Sequence, residues 1–160
     1  MVVPNPPENS AEARLKALKI ELPQPPTPFG AYVEAVQTGS LLFLSGTLPV
    51  ENRKPAFLGM IGKDLTLDQG RQAARLACLN GLAAAREHLG SLDRVTKVVR
   101  LGVSLVTTAD FKDHPKVADA ASELLVEVFG KDKTSTRMVL GMATLPLGLP
   151  VLVELILEVA

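Results

Sequence analysis

The alternation of apolar and polar residues changes period several times along the chain, and each change marks an element. Tyr32 to Val36 and Leu41 to Ser45 read as two strands joined at Gln37-Thr38-Gly39-Ser40, and a third short strand is predicted at Phe57 to Ile61. At Thr66-Leu67-Asp68-Gln69 the pattern becomes helical, since Thr66 can accept from a first-turn amide while Gln69 reaches back. Ala73, Leu76, Ala77, Asn80, Ala83 and Ala84 continue at helical spacing until Gly90, which can take the left-handed conformation that ends a helix. Val95 to Val106 is apolar on both sides of its alternation, the pattern of a strand buried on two faces. Asp110 to Phe129 reads as a second long helix with Pro115 in or near its first turn and Gly130 as its stop. Two strands finish the chain, Arg137 to Thr144 and Val151 to Val159.

The order β-β-β-α-β-α-β-β predicts an α+β fold, a six-stranded mixed sheet with two long helices on one face. Two helices cover only that face. The last strand carries Val151, Val153, Leu155, Leu157 and Val159 on one side, yet Leu152 and Ile156 stand beside Glu154 and Glu158 on the other. The second face therefore asks for a partner, and closed cyclic self-association is its simplest source.

Ahead of these elements lies a different segment. Seven of the 12 prolines (Pro4, Pro6, Pro7, Pro23, Pro25, Pro26, Pro28) fall in residues 1–28, which hold no glycine. Asn9-Ser10 followed by Ala11 to Lys19 reads as a short capped helix with apolar positions at Ala13, Ala17 and Leu18. The expected organisation is a Pro-rich arm over 1–28, lying on the surface without adding to the core, and one domain over 29–160.

Composition narrows the function classes. At 160 residues the chain has the length of one domain. Its 17 Lys+Arg balance 17 Asp+Glu, so no strong positive field is available for a polyanion. With 47% hydrophobic residues but five Phe, one Tyr and no Trp, the apolar content is aliphatic, which argues against nucleic acid held by base stacking. No apolar run is long enough for a membrane span. One cysteine, Cys78, excludes an intrachain disulfide and a cysteine-based zinc site. The N-terminus lacks the basic and apolar regions of a secretion signal, so a reducing, cytoplasmic compartment is the default expectation.

Cofactor motifs, the nucleophile elbow and metal-protease runs are all missing, and no metal site or cofactor is expected. His88 and His114 read as surface or helix-terminus residues, and Cys78 as a buried, inert thiol. Arg137 opens an apolar strand directly after the polar loop Lys131 to Thr136. A guanidinium there either clasps a substrate carboxylate at two points or forms a surface salt bridge. Glu154, between Val153 and Leu155, is either a partly desolvated acid fit for handling protons or a wet edge residue. Asp119 lies inside the second long helix, where a solvated face is the ordinary reading.

Leu41 to Gly46 followed by Leu48-Pro49, and Arg137 through Leu145-Pro146 to Val153-Glu154-Leu155, make the sequence similar to the YjgF/RidA family of reactive-intermediate deaminases, also known as L-PSP endoribonucleases. The resemblance runs from about Phe29 to Ala160. Ala109-Asp110-Phe111 to Phe129-Gly130, with Leu145 to Pro150, resembles the family's longer-chain branch. It implies a chorismate-mutase-like fold and a homotrimer with clefts between subunits. By position, Arg137 matches the arginine that grips the substrate carboxylate, Glu154 the acid that helps position water, Tyr32 the cleft tyrosine, and Ser45 and Gly46 the Ser-Gly pair lining the pocket. Val139 stands where active deaminases often carry cysteine, Asp119 where many members have asparagine, and Ser135 where many long-branch members have histidine. The implied reaction is hydrolysis of small enamines or imines, such as 2-aminoacrylate, to 2-keto acids and ammonia. A non-catalytic trimeric binder of small carboxylates is the alternative. An endoribonuclease or translation inhibitor, the family's older label, is a third reading that the neutral charge and scarce aromatics oppose.

Overall fold

The computed structural model describes residues 9–160; the expectation for Pro4, Pro6 and Pro7 lies outside them. Strands β1 (Ala35–Thr38) and β2 (Leu41–Leu44) turn tightly on Gly39-Ser40, where Gly39 takes a left-handed φ of 57°. A small separate hairpin follows, β3 (Val50–Glu51) with β4 (Lys54–Pro55). Helix α2 (Leu67–Leu89) leads to β5 (Val95–Val106), and α3 (His114–Phe129) to β6 (Thr136–Met142) and β7 (Val151–Val159). The main sheet has the order β1-β2-β7-β5-β6, with β5 and β6 parallel and the remaining neighbours antiparallel.

The sheet is mixed, as expected, but has five strands where six were predicted. Phe57 to Ile61 does not form a strand because Gly59 (φ 99°) and Gly62 (φ 94°) turn the backbone out of the extended region. Ile61 alone bridges to Leu65 and Thr107, and its fully buried side chain fits against Gly70 of α2. The second helix begins at His114 rather than Asp110, with Pro115 in its first turn.

Both ends of α2 behave as predicted. Thr66 accepts from the Gln69 amide at 3.2 Å, the Gln69 side chain accepts from the Thr66 amide at 2.9 Å, and Gly90 closes the helix at φ 80°. Thr66→Ala should lower unfolding free energy by about 1 kcal/mol, seen as a reduced denaturant midpoint at unchanged slope. The alanines of α2 let it lie close to the sheet, and Gly81 marks a close approach: an added Cβ would sit 3.3 Å from Leu155. Arg71–Glu123 and Arg75–Glu127 pair at 2.8 Å across the helices. Both partners advance by one turn in the same direction, so α2 and α3 run parallel.

The two long helices cover one face, burying Val151, Val153, Leu155, Leu157 and Val159 with Leu101, Val103 and Leu105. The other face is open. Register places Val36, Phe43 and Ile156 in one row, Glu154, Gly102 and Met138 in a second, and Leu152, Ser104 and Leu140 in a third. Val36, Phe43, Met138, Leu140 and Met142 are exposed. Strand β5 is therefore buried fully on its helix side and only in part on the other, unlike the two-sided burial its composition suggested.

Helix α1 (Ala11–Ala17) also departs from expectation, because it joins the core. Ala11 and Leu15 are the buried positions, while Leu18 is exposed. Glu12 fixes it: its carboxylate pairs with Arg86 at 2.8 Å and accepts from the Leu92 amide at 3.0 Å, and its own amide donates to Asp93 at 2.9 Å. None of the helices in the described residues is long and apolar enough to cross a membrane.

Candidate active site

Arg137 lies on edge strand β6 in register with Leu101, which pairs with Leu155. Both leucines point to the helices, and so does Arg137, whose guanidinium donates to Asp119 at 2.7 Å and to the Ser122 hydroxyl at 3.1 Å. Asp119 and Ser122 are one turn apart on α3, so both face the strand. The salt-bridge reading of Arg137 and the solvated reading of Asp119 thus converge on one pair, with side-chain exposures of 29% and 46%. Beside it a cavity of about 220 Å³ is lined by Ser122, Leu125, Val126, Lys133, Thr134, Ser135 and Arg137. Lys133 keeps its charge there, its ammonium donating to the Val95 carbonyl at 2.9 Å. Three hydroxyls and a guanidinium around a space of this size suit a small oxoanion better than a polymer.

Val139, on the same face of β6 as Arg137, packs against the core. It offers no donor. Glu154, by contrast, is exposed on the open face opposite Gly102. Being one residue out of register with Arg137 across β5, it lies on the other side of the sheet. A single chain does not bring Arg137 and Glu154 together.

Tyr32, Ser45 and Gly46 gather at the opposite edge. The Tyr32 hydroxyl accepts from the Phe29 amide at 3.1 Å, and Ser45 donates to the Val33 carbonyl at 2.6 Å. Gly46 has the Leu152 side chain over it, so close that an added Cβ would meet Leu152 at 2.7 Å. From β2 to β6 there are three interstrand steps, about 14 Å at strand spacing. Arg137 and the Tyr32–Gly46 cleft are separate in one chain.

Sequence reasoning missed Glu34, which lines the same cleft as Tyr32 and Gly46. Burial raises its carboxyl above the ordinary carboxylate range. Its spacing of two from Tyr32 within an extended run was the available signal. Ser122 was also missed, since its role appears only when α3 docks on β6. A larger cavity, about 450 Å³, is elsewhere, beneath the proline segment where Arg53 stacks over Phe29 at 5.2 Å from the ring centre and donates to Thr27. It lies between that segment, the β3–β4 turn and α2, and Arg137 is not among its lining residues.

The remaining nucleophilic and imidazole groups read quietly. Cys78 is buried, and desolvation pushes its thiol up to about 12, out of reach of thiolate chemistry at neutral pH. His88 is exposed; His114 opens α3 with Nε2 3.3 Å from the Thr107 hydroxyl and its ring edge-on to Phe111. Among the described residues no cluster of three or more metal-ligating side chains occurs.

Comparison with known proteins agrees with this architecture. The sequence profile described as "YjgF/chorismate mutase-like, putative endoribonuclease" matches residues 12–159. Protein TCP17 of Trypanosoma cruzi is 36% identical over 147 residues, covering 91% of this chain and 92% of the relative. A RutC family protein of Pyrococcus horikoshii is 31% identical over 122 residues, 76% of this chain and 81% of the relative. A crystal structure from Shewanella oneidensis MR-1, under the same endoribonuclease description, superposes with a TM-score of 0.90 at 36% identity, covering 94% of this chain and 100% of that one.

Proposed function

Because the chain belongs to the YjgF/chorismate mutase-like family, we propose that it hydrolyses small reactive 2-enamines and 2-imines to 2-keto acids and ammonia, with Arg137 as the clamp for the substrate carboxylate. The observation carrying this reading is the guanidinium held on an edge strand beside a small hydroxyl-lined cavity. The chemistry asks for little more. Once the carboxylate is fixed, the neighbouring imine carbon stands at a defined point, and a water held by a carboxylate attacks it as an effectively intramolecular nucleophile. The carbinolamine then expels ammonia and leaves the ketone.

Under this proposal three copies pack their open sheet faces together, and Glu154 of one copy meets the cleft of the next as the water-orienting acid. The exposed apolar side chains of that face support such packing, as does the separation of Arg137, Glu154 and the Tyr32–Gly46 cleft within one chain. Neutral net charge gives the ribonuclease reading less support. The non-catalytic binder is favoured by one observation, the aliphatic Val139 beside the clamp.

The test generates 2-aminoacrylate in situ by a coupled β-elimination and follows loss of imine absorbance. Acceleration over buffer is expected; none, with 2-oxobutanoate still binding in calorimetry, would leave the binder. Co-expression of Arg137→Ala with Glu154→Gln addresses the assembly. Randomly mixed rings should regain about one quarter of the wild-type sites if neighbours supply the two groups. No recovery above the sum of the separate variants overturns a shared site.

A further inference from the structure

Arg137 is not an empty clamp: Asp119 already occupies its guanidinium at 2.7 Å, while Lys133, the other cation lining the cavity, keeps its charge but turns its ammonium onto the Val95 carbonyl at 2.9 Å. A ligand carrying only a carboxylate must therefore compete with Asp119 for one guanidinium, with two anions left side by side. A ligand with a cationic nitrogen on the carbon next to its carboxylate meets a different site. Its carboxylate takes Arg137 while its nitrogen takes Asp119, and the four charges alternate around a ring. The Ser122 hydroxyl, 3.1 Å from the guanidinium, stays available to hold Arg137 during the exchange. Asp119 is half-exposed, so its carboxylate can move from one partner to the other through water.

We infer that Asp119 is a specificity-determining residue that reads the protonated nitrogen of the substrate, so that the site selects zwitterionic 2-iminio and 2-amino acids over the corresponding 2-keto and 2-hydroxy acids. This rests on the reading of Arg137 as the carboxylate clamp. The reaction balances as iminium carboxylate plus water giving keto acid plus ammonium, with no net change in charge. The protonated imine is the form whose carbon water attacks most readily, so the residue that selects it also selects the reactive species. The product keeps the carboxylate but loses the cation. It then competes with Asp119 again, which favours its release.

The experiment is calorimetric titration of wild type, Asp119→Asn and Arg137→Ala with 2-aminobutanoate and 2-oxobutanoate at neutral pH, alongside KM and kcat for the imine. Wild type should bind the amino acid about tenfold more tightly than the keto acid, the scale of one charge-assisted contact. Asp119→Asn should reverse the order, weakening the amino acid about tenfold and tightening the keto acid by a similar factor, with KM for the imine raised. Thermal unfolding checks that the substitution leaves the fold intact, and Asp119→Ser, equally neutral, should reproduce the reversal. If binding depends on Arg137 yet the ratio of the two ligands is the same in wild type and both Asp119 variants, this inference falls and the clamp stands. If Arg137→Ala binds both ligands as wild type does, or neither ligand binds wild type or Asp119→Asn, the clamp falls and the inference with it.

Discussion

Under the proposed function, Arg137→Ala should lower kcat/KM for the imine by a factor of about 10²–10³, the loss of roughly 3–4 kcal/mol expected when a two-point charged contact and the positioning it provides are both removed. Stability should hardly move. The guanidinium is part-exposed and its partner Asp119 is half-exposed, so the freed carboxylate regains water, and the cost stays within about 1 kcal/mol. Arg137→Lys separates charge from geometry: the ammonium keeps the attraction but not the planar fork, and activity should fall between the two. Steady-state rates on in situ generated 2-aminoacrylate, with thermal unfolding of each variant, decide the matter. Full activity in Arg137→Ala would remove the clamp from the mechanism.

Leu140→Asp carries the second large effect. Leu140 is 48% exposed on the open face, in the row with Leu152 and Ser104, so a carboxylate there is tolerated by the isolated chain. In a ring of three copies it enters an apolar contact at every subunit, at about 3 kcal/mol or more per copy. If the proposed trimer forms through this face, sedimentation should show trimers for wild type and monomers for Leu140→Asp, and turnover should collapse with the loss of the neighbour's contribution to each site. A trimeric, active Leu140→Asp would show that the copies meet elsewhere.

What could be read from the sequence was local. The capping box at Thr66 and Gln69, the left-handed stop at Gly90 and the alternation of the last strand depend on residues within a turn or two of one another, and all appear as expected. Phe57 to Ile61 failed because its composition suits a strand while Gly59 and Gly62 dictate a turn. The β3–β4 hairpin escaped notice because its turn holds Asn52 and Arg53 at positive φ, and arginine is no turn signal. The site failed to assemble on paper for a different reason. Arg137 and Glu154 lie on strands separated by β5, and only the register of those strands puts them on opposite faces. Arg137 offered two readings, clamp or salt bridge, and pattern alone did not choose between them because its partner Asp119 comes from α3, 18 residues earlier in the chain.

The anchoring of α1 bears on the order in which the chain is made. Helix α1 leaves the ribosome well before its partners: the amide of Leu92 and the carboxylate of Asp93 that hold Glu12, and the α3 surface that packs on it, are synthesised some eighty to more than a hundred residues later. An element translated early thus completes its docking only after α3 has been made. Until then Leu15 lacks the surface that buries it, so the core of the folded chain, which includes Leu15, is complete only once α3 is available.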